Sequence, residues 1–217
     1  MDNKETYDKF HALDLDKQEK IINTAMKEFL QGYKKASTDN IVKEAGISKG
    51  ILFHYFGTKE KLYHYLIDRS VSTNIDEFLG RISTNHTDFL DSIWEMAVIK
   101  GELSRKYPSL FDFLAAVYLD PDSNATVTNA SLAKMMEKRN VIMTEIYASA
   151  NFELFRPDLP PLDIINIINW AIDGYATHLT RLASASDIGE LARINYEHYL
   201  EELQKMIHIF RTCFYRQ

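Results

Sequence analysis

The chain has 217 residues, 46% of them hydrophobic and 26% charged, enough apolar material for a buried core and too much for a disordered chain. Its single cysteine, Cys213, excludes an internal disulfide framework, and no apolar run approaches the roughly 20 residues that span a bilayer. The net charge of −6 argues against a general polyanion binder.

The first ten residues, MDNKETYDKF, carry both signs of charge and no apolar core, unlike a secretory leader. The chain is therefore expected to be cytoplasmic, with no membrane partner. Its charge is unevenly spread. Residues 17–69 hold ten cations and six anions, a net of +4, which leaves −10 on the rest. A small basic module on an acidic body fits a polyanion partner confined to the N-terminal region.

Helical spacing dominates, and no segment alternates as a strand bounded by hairpin turns. The first helix is predicted from about Asp16 to Gln31. Asp16 serves as its cap, Glu19 follows three residues on, and Gly32 ends it. Phe10 and Leu13 precede it as a staple. A second helix is predicted from Ser37-Thr38 to Gly46, and a third over about 48–55. Gly57-Thr58 breaks the chain before a fourth helix at about 59–80.

Cap, short helix, Gly turn, cap and short helix together describe a helix-turn-helix. Ile41, Ile47, Leu52 and Phe56 supply the apolar contacts that lock it to the first helix. The third helix then exposes Lys49, Gly50, Phe53, His54 and Tyr55. In a recognition helix such residues reach base edges and phosphates in the major groove. Gly50 lets the backbone approach DNA. The helix N-termini at Thr38 and Lys59 offer unpaired N–H groups to phosphate. Gly46 and Gly50 lack the strand and spacing of a phosphate-binding loop.

Residues 19–66, including EKIINTAMKEF and GYKKASTDNIVKEAGISKGILFHYFGTKEKLYHYL, resemble the DNA-binding domain of the tetracycline-repressor (TetR) family of transcriptional regulators. The resemblance implies an all-α fold. A helix-turn-helix domain, residues 1–58 with its N-terminal extension, would precede a larger helical ligand-binding and dimerisation domain, residues 59–217. The helix at 59–80 would connect them. By analogy Thr38, Lys49, Gly50, Phe53, His54, Tyr55 and Lys59 face double-stranded operator DNA. Two positions depart from the family pattern. Phe53 replaces a common Tyr and lacks its hydroxyl, and Ile51 replaces a commonly polar residue.

Beyond residue 70 apolar residues recur at helical spacing over about 88–107, 108–120, 127–150, 162–184 and 187–215. The last two segments form the expected homodimer interface, through Tyr175, Leu179, Leu182, Tyr196, Tyr199, Leu203 and Phe210. Packing inside the monomer is the other account of the same stripes. Trp94, Phe111, Tyr118, Met143, Tyr147, Trp170 and Asp173 are candidates for lining a pocket for a small, mainly apolar ligand. Plain core is the more common role for each of these aromatic and Met residue types.

No catalytic motif, metal-ligand pair or cofactor signature is present. Two functions are consistent with these features. One is a ligand-responsive transcriptional regulator, a repressor released from a near-palindromic operator. The other is a helical-bundle enzyme or carrier with an incidental helix-turn-helix-like corner.

Overall fold

The computed structural model describes residues 7–119, 130–185 and 196–216. Among these the only extended pairing is a single antiparallel bridge between Phe155 and Tyr215, so the fold is all-α, as the spacing predicts. The chain divides into two compact units. One takes residues up to Gly80 together with 103–140, and the other takes 81–102 together with the chain from 141 onward.

The first unit begins with a short helix, α1 (Asp8–His11), and then α2 (Leu15–Phe29). The cap of α2 is Asp14 and not Asp16. Asp14 holds extended backbone, and its carboxylate accepts from the Lys17 N–H at 2.9 Å. The helix therefore starts a turn-fraction earlier than the spacing suggests. It stops at Phe29, with Gly32 at positive φ just beyond. The Gln18 amide donates to the carbonyls of His11 and Leu13, at 3.1 and 2.8 Å, so the end of α1 is satisfied by α2.

Next come α3 (Thr38–Ala45), α4 (Lys49–Phe56) and α5 (Lys59–Thr73). Gly46 ends α3 in the left-handed region at φ 73°, where a Cβ is unfavourable. Ser48 caps α4 by accepting from Ile51 N–H at 3.2 Å, and Thr58 caps α5 by accepting from Lys61 N–H at 3.1 Å. Phe10, Ile22, Phe29, Ile41, Leu52, Phe56, Leu62 and Leu66 form the buried centre. Each such side chain contributes about 1.5–3 kcal/mol relative to exposure. Ile47, expected among the locking contacts, is only half-buried.

The helix expected over 59–80 is one α-helix only to Thr73. It continues as a π-helical turn over Asn74–Phe78 and a 3-10 turn over Leu79–Arg81. Glu77 in the π-turn accepts from Lys106 and from the Tyr107 hydroxyl, each at 2.6 Å. Three helices follow: α6 (Phe89–Lys106), α7 (Leu110–Leu119) and α8 (Ala130–Ser149). Tyr63 of α5 meets Phe113 of α7 edge-on at 5.9 Å within the first unit.

The second unit is completed by α9 (Pro161–Ala185) and α10 (Tyr196–Phe214). Its core holds Phe89, Leu90, Ile93, Ile146, Phe155, Ile164, Ile168, Leu203 and Phe210. Arg211 pairs with Asp88 and, at 2.6 Å, with Asp91. The Tyr215 hydroxyl donates to Asp88 at 2.6 Å, and burial together with that carboxylate holds its proton well above the usual phenol range. The break expected near Asp120-Pro121, the start of the helix expected from 187 and the side chain of Leu182 lie outside the described residues.

Candidate nucleic-acid interface

The three caps and the Gly46 turn fix α3 and α4 against α2. Glu28 of α2 adds a second tie. Its carboxylate accepts from the Ser37 N–H at 2.7 Å and from the Asn40 side chain at 3.2 Å. The start of α3 is thus held by charge-assisted bonds, which are the stronger kind.

The α4 face carries Lys49, Gly50 and His54 exposed, with Phe53 and Tyr55 half-buried. Leu52 and Phe56 point inward. Ile51 is 42% exposed, so an apolar side chain is also presented at this face. Tyr55 is partly committed to packing, its ring edge-on to Phe10 at 5.8 Å.

Gly50 has no packing reason to be glycine. A Cβ built there meets nothing nearer than the Ser48 Oγ at 3.9 Å. A glycine inside a helix costs stability relative to alanine, so an approach from outside the chain accounts for it better than any internal contact.

Thr38 is half-buried at the first residue of α3. The Lys59 ammonium donates to the Ala36 carbonyl at 2.6 Å and lies 4.7 Å from the Tyr33 ring centroid. Burial lowers its pKa from the ordinary lysine value, against an opposing pull from Glu28. Lys59 therefore ties the turn ahead of α3 to the start of α5 through its side chain.

Residue patterns did not single out two neighbours of this face. Asp39 in the first turn of α3 is paired with Lys49 at 2.8 Å. Lys20 of α2 brings its ammonium beside the turn, 3.6 Å from the Cβ position at Gly46. Both relations join residues more than nine apart, and only the turn geometry reveals them.

The profile of bacterial regulatory proteins, tetR family, matches residues 21–66, the stretch from α2 into α5. Over that stretch the chain is similar to the DNA-binding region of the TetR family. Two Bacillus subtilis (strain 168) proteins are similar to it. The uncharacterized HTH-type transcriptional regulator YxaF is 38% identical over 74 residues, 28% of this chain and 39% of that protein. The HTH-type transcriptional regulator PksA is 33% identical over 88 residues, 39% of this chain and 43% of that protein. The chain thus spans about two fifths of the length of these curated relatives. A solved TetR family transcriptional regulator from Chloroflexus aurantiacus J-10-FL shares the fold at a TM-score of 0.57 and 18% identity, over 97% of this chain and 98% of that one. Another, from Marinobacter aquaeolei VT8, does so at 0.52 and 15%, over 93% and 97%.

The residues expected for ligand and dimer fall as follows. Phe111 and Tyr118 belong to the first unit, and Trp94, Met143, Tyr147, Trp170 and Asp173 to the second. Phe111 meets Phe78 edge-on at 5.5 Å, and Tyr118 is exposed. Tyr147 stacks on Phe89 at 5.9 Å, and its hydroxyl accepts from Asn169 at 3.4 Å. Trp94 and Met143 are half-buried, Asp173 is exposed, and Trp170 is 70% exposed. Of the expected interface residues, Leu203 is 0% and Phe210 7% exposed within the single chain. Tyr175 stacks on Tyr199 at 6.0 Å, and Tyr196 packs edge-on against Tyr199. Burial, with the nearby Tyr196 and Asp173, pushes the Tyr199 pKa up to about 12. Leu179 is half-buried, and Leu182 lies on α9.

No described helix is long and apolar enough to cross a membrane. Among the described residues no group of three or more His, Cys, Asp or Glu is placed to hold a metal ion.

Proposed function

We propose that this protein is a dimeric DNA-binding transcriptional repressor of the cytoplasm, which leaves a near-palindromic operator when a small, mainly apolar molecule binds. The observation that carries the reading is the exposed α4 face, where Lys49 and an unpacked Gly50 stand at the start of a capped, rigidly held helix. Lys49 donates to base edges, while the helix N-termini at Thr38 and at Lys59 each offer N–H groups to phosphate. His54, Phe53 and Tyr55 flank the same groove. Ile167, Trp170 and Gly174 recur on one exposed face of α9, which is the surface that supports self-association.

The test is a gel shift on duplexes enriched from a random library, with Gly50→Ala as the probe. Alanine fits the free chain without strain and raises its stability by about 0.4–1 kcal/mol. The same methyl group stands where backbone meets DNA, so affinity falls. Stability rising with affinity unchanged would remove α4 from the interface.

The ligand arm rests on the TetR resemblance and on helices rich in Met and aromatic residues. A ligand that prefers a conformation unsuited to the operator weakens DNA binding, and DNA weakens ligand binding by the same factor. A coupling of about 1–3 kcal/mol is typical. Titration of apolar compounds by tryptophan fluorescence, with and without operator, measures it. The chain has two tryptophans to report binding. Equal affinity in both titrations would show that the ligand is not coupled to DNA.

A further inference from the structure

We infer that Asp39 and Lys49 act as one reader of a G·C base pair in each half of the operator, Lys49 donating to guanine and Asp39 accepting from cytosine. This rests on the DNA-binding function proposed above and names which residues set its sequence preference.

A carboxylate on the face that meets a polyanion calls for an explanation. An acidic residue in the first turn of α3 is favoured by the helix dipole, and a surface ion pair adds little. That account covers the helix but not the partner. Asp39 Oδ1 lies 2.8 Å from the ammonium of Lys49, the first residue of the next helix, across the Gly46 turn. Both side chains remain open to solvent, Lys49 by 50% and Asp39 by 70%.

The platform beneath them is rigid. Glu28 holds Ser37 and Asn40, Gly46 sets the turn, and Ser48 caps α4. Beside the pair, Gly50 leaves open space. The molecule therefore presents a donor and an acceptor at hydrogen-bond separation on one exposed edge.

A G·C pair shows the complementary pattern in the major groove. Guanine O6 accepts and cytosine N4 donates, and the two are themselves hydrogen-bonded, about 2.9 Å apart. Guanine also offers N7 beside O6, so the ammonium meets two acceptors. Thymine offers O4 alone, next to a methyl group. A pair reversed to C·G places the carboxylate over acceptors, which is repulsive. The Asp39 charge thus supplies discrimination against wrong bases as well as attraction to the right one.

The experiment enriches duplexes from a randomised library with the wild type, Asp39→Ala, Asp39→Asn and Lys49→Ala, after circular dichroism confirms that each is folded. The wild type is expected to select a G·C pair at one matching position in each half-site. Changing it to A·T costs the wild type about tenfold in affinity. It costs Asp39→Ala and Lys49→Ala under about threefold each. Asp39→Ala also binds unrelated duplex more tightly than the wild type, because a repulsive charge is gone. Asp39→Asn shifts the selected pair toward A·T, since a carboxamide recognises adenine. A wild-type motif without such a position, or Asp39 variants that select the wild-type motif unchanged, would overturn the inference while leaving DNA binding intact. A wild type that enriches no sequence overturns the DNA-binding reading itself, and this inference with it.

Discussion

Trp170→Asp is expected to give a folded monomer that no longer binds operator, while Leu203→Asp unfolds the unit that contains it. The contrast follows from burial. Trp170 is 70% exposed and Ile167 43%, and a Cβ at Gly174 would meet nothing within 4 Å. These three lie at i, i+3 and i+7 and so share one face of α9. An exposed apolar face of this kind is where the proposed second copy is expected to sit. A charge there removes the interface without disturbing the core. Losing the second half-site then lowers operator affinity by about 10²–10⁴, because the second contact is no longer intramolecular. Leu203 is wholly enclosed by its own chain. A carboxylate there meets no solvent and leaves the space of a leucine badly filled, a cost of several kcal/mol. Sedimentation separates the two outcomes, and a dimer that survives Trp170→Asp would sink the assignment of this face.

These two residues also show how far the sequence can be read. Periodicity reveals that a helix has an apolar stripe, but not whether its own chain or a partner covers it. α9 has two such faces, Ile164, Ile165 and Ile168 inward and Ile167 and Trp170 outward. A stripe listing cannot separate them. By contrast, the segment from Ser37 to Thr58 was legible in detail because its signals are local. Ser48 and Thr58 each bond an N–H three residues away, and Gly46 needs only its own φ. The start of α2 shows the limit of that logic. Asp14 and Asp16 are both acceptable caps, and the extended backbone that follows α1 selects Asp14. The Asp39–Lys49 pair joins residues ten apart across a turn, and no sequence spacing specifies that angle. The composition of the two units was hidden for the same reason. Residues 103–140 join the N-terminal helices through contacts distant in sequence, such as Tyr63 with Phe113.

The helix least visible in the sequence carries the largest expected effect on the proposed DNA-binding region. α1 has four residues, too short to persist alone in water. Phe10 holds it in place. Its ring is wholly buried, 4.7 Å from Phe56, 5.6 Å from Tyr65 and 5.8 Å from Tyr55. Beside it the His11 ring hydrogen-bonds the Tyr65 hydroxyl at 3.1 Å. Phe10→Ala removes the aromatic body and leaves a cavity between α1, α4 and α5, a loss of about 3–5 kcal/mol. Tyr55 and Phe56 are the last two residues of α4, so the vacated space lies under the end of the proposed recognition helix. Operator affinity is expected to fall even where the variant remains folded, because α4 is no longer fixed at both ends. Phe10→Leu should recover much of the stability, since it refills most of the volume, but less of the affinity, since the edge-on contact with Tyr55 is gone. Denaturant unfolding and gel shifts on the same preparations measure both effects. An unfolding free energy within about 0.5 kcal/mol of the wild type, the range of ordinary surface substitutions, would mean that α1 rests on the domain without supporting it.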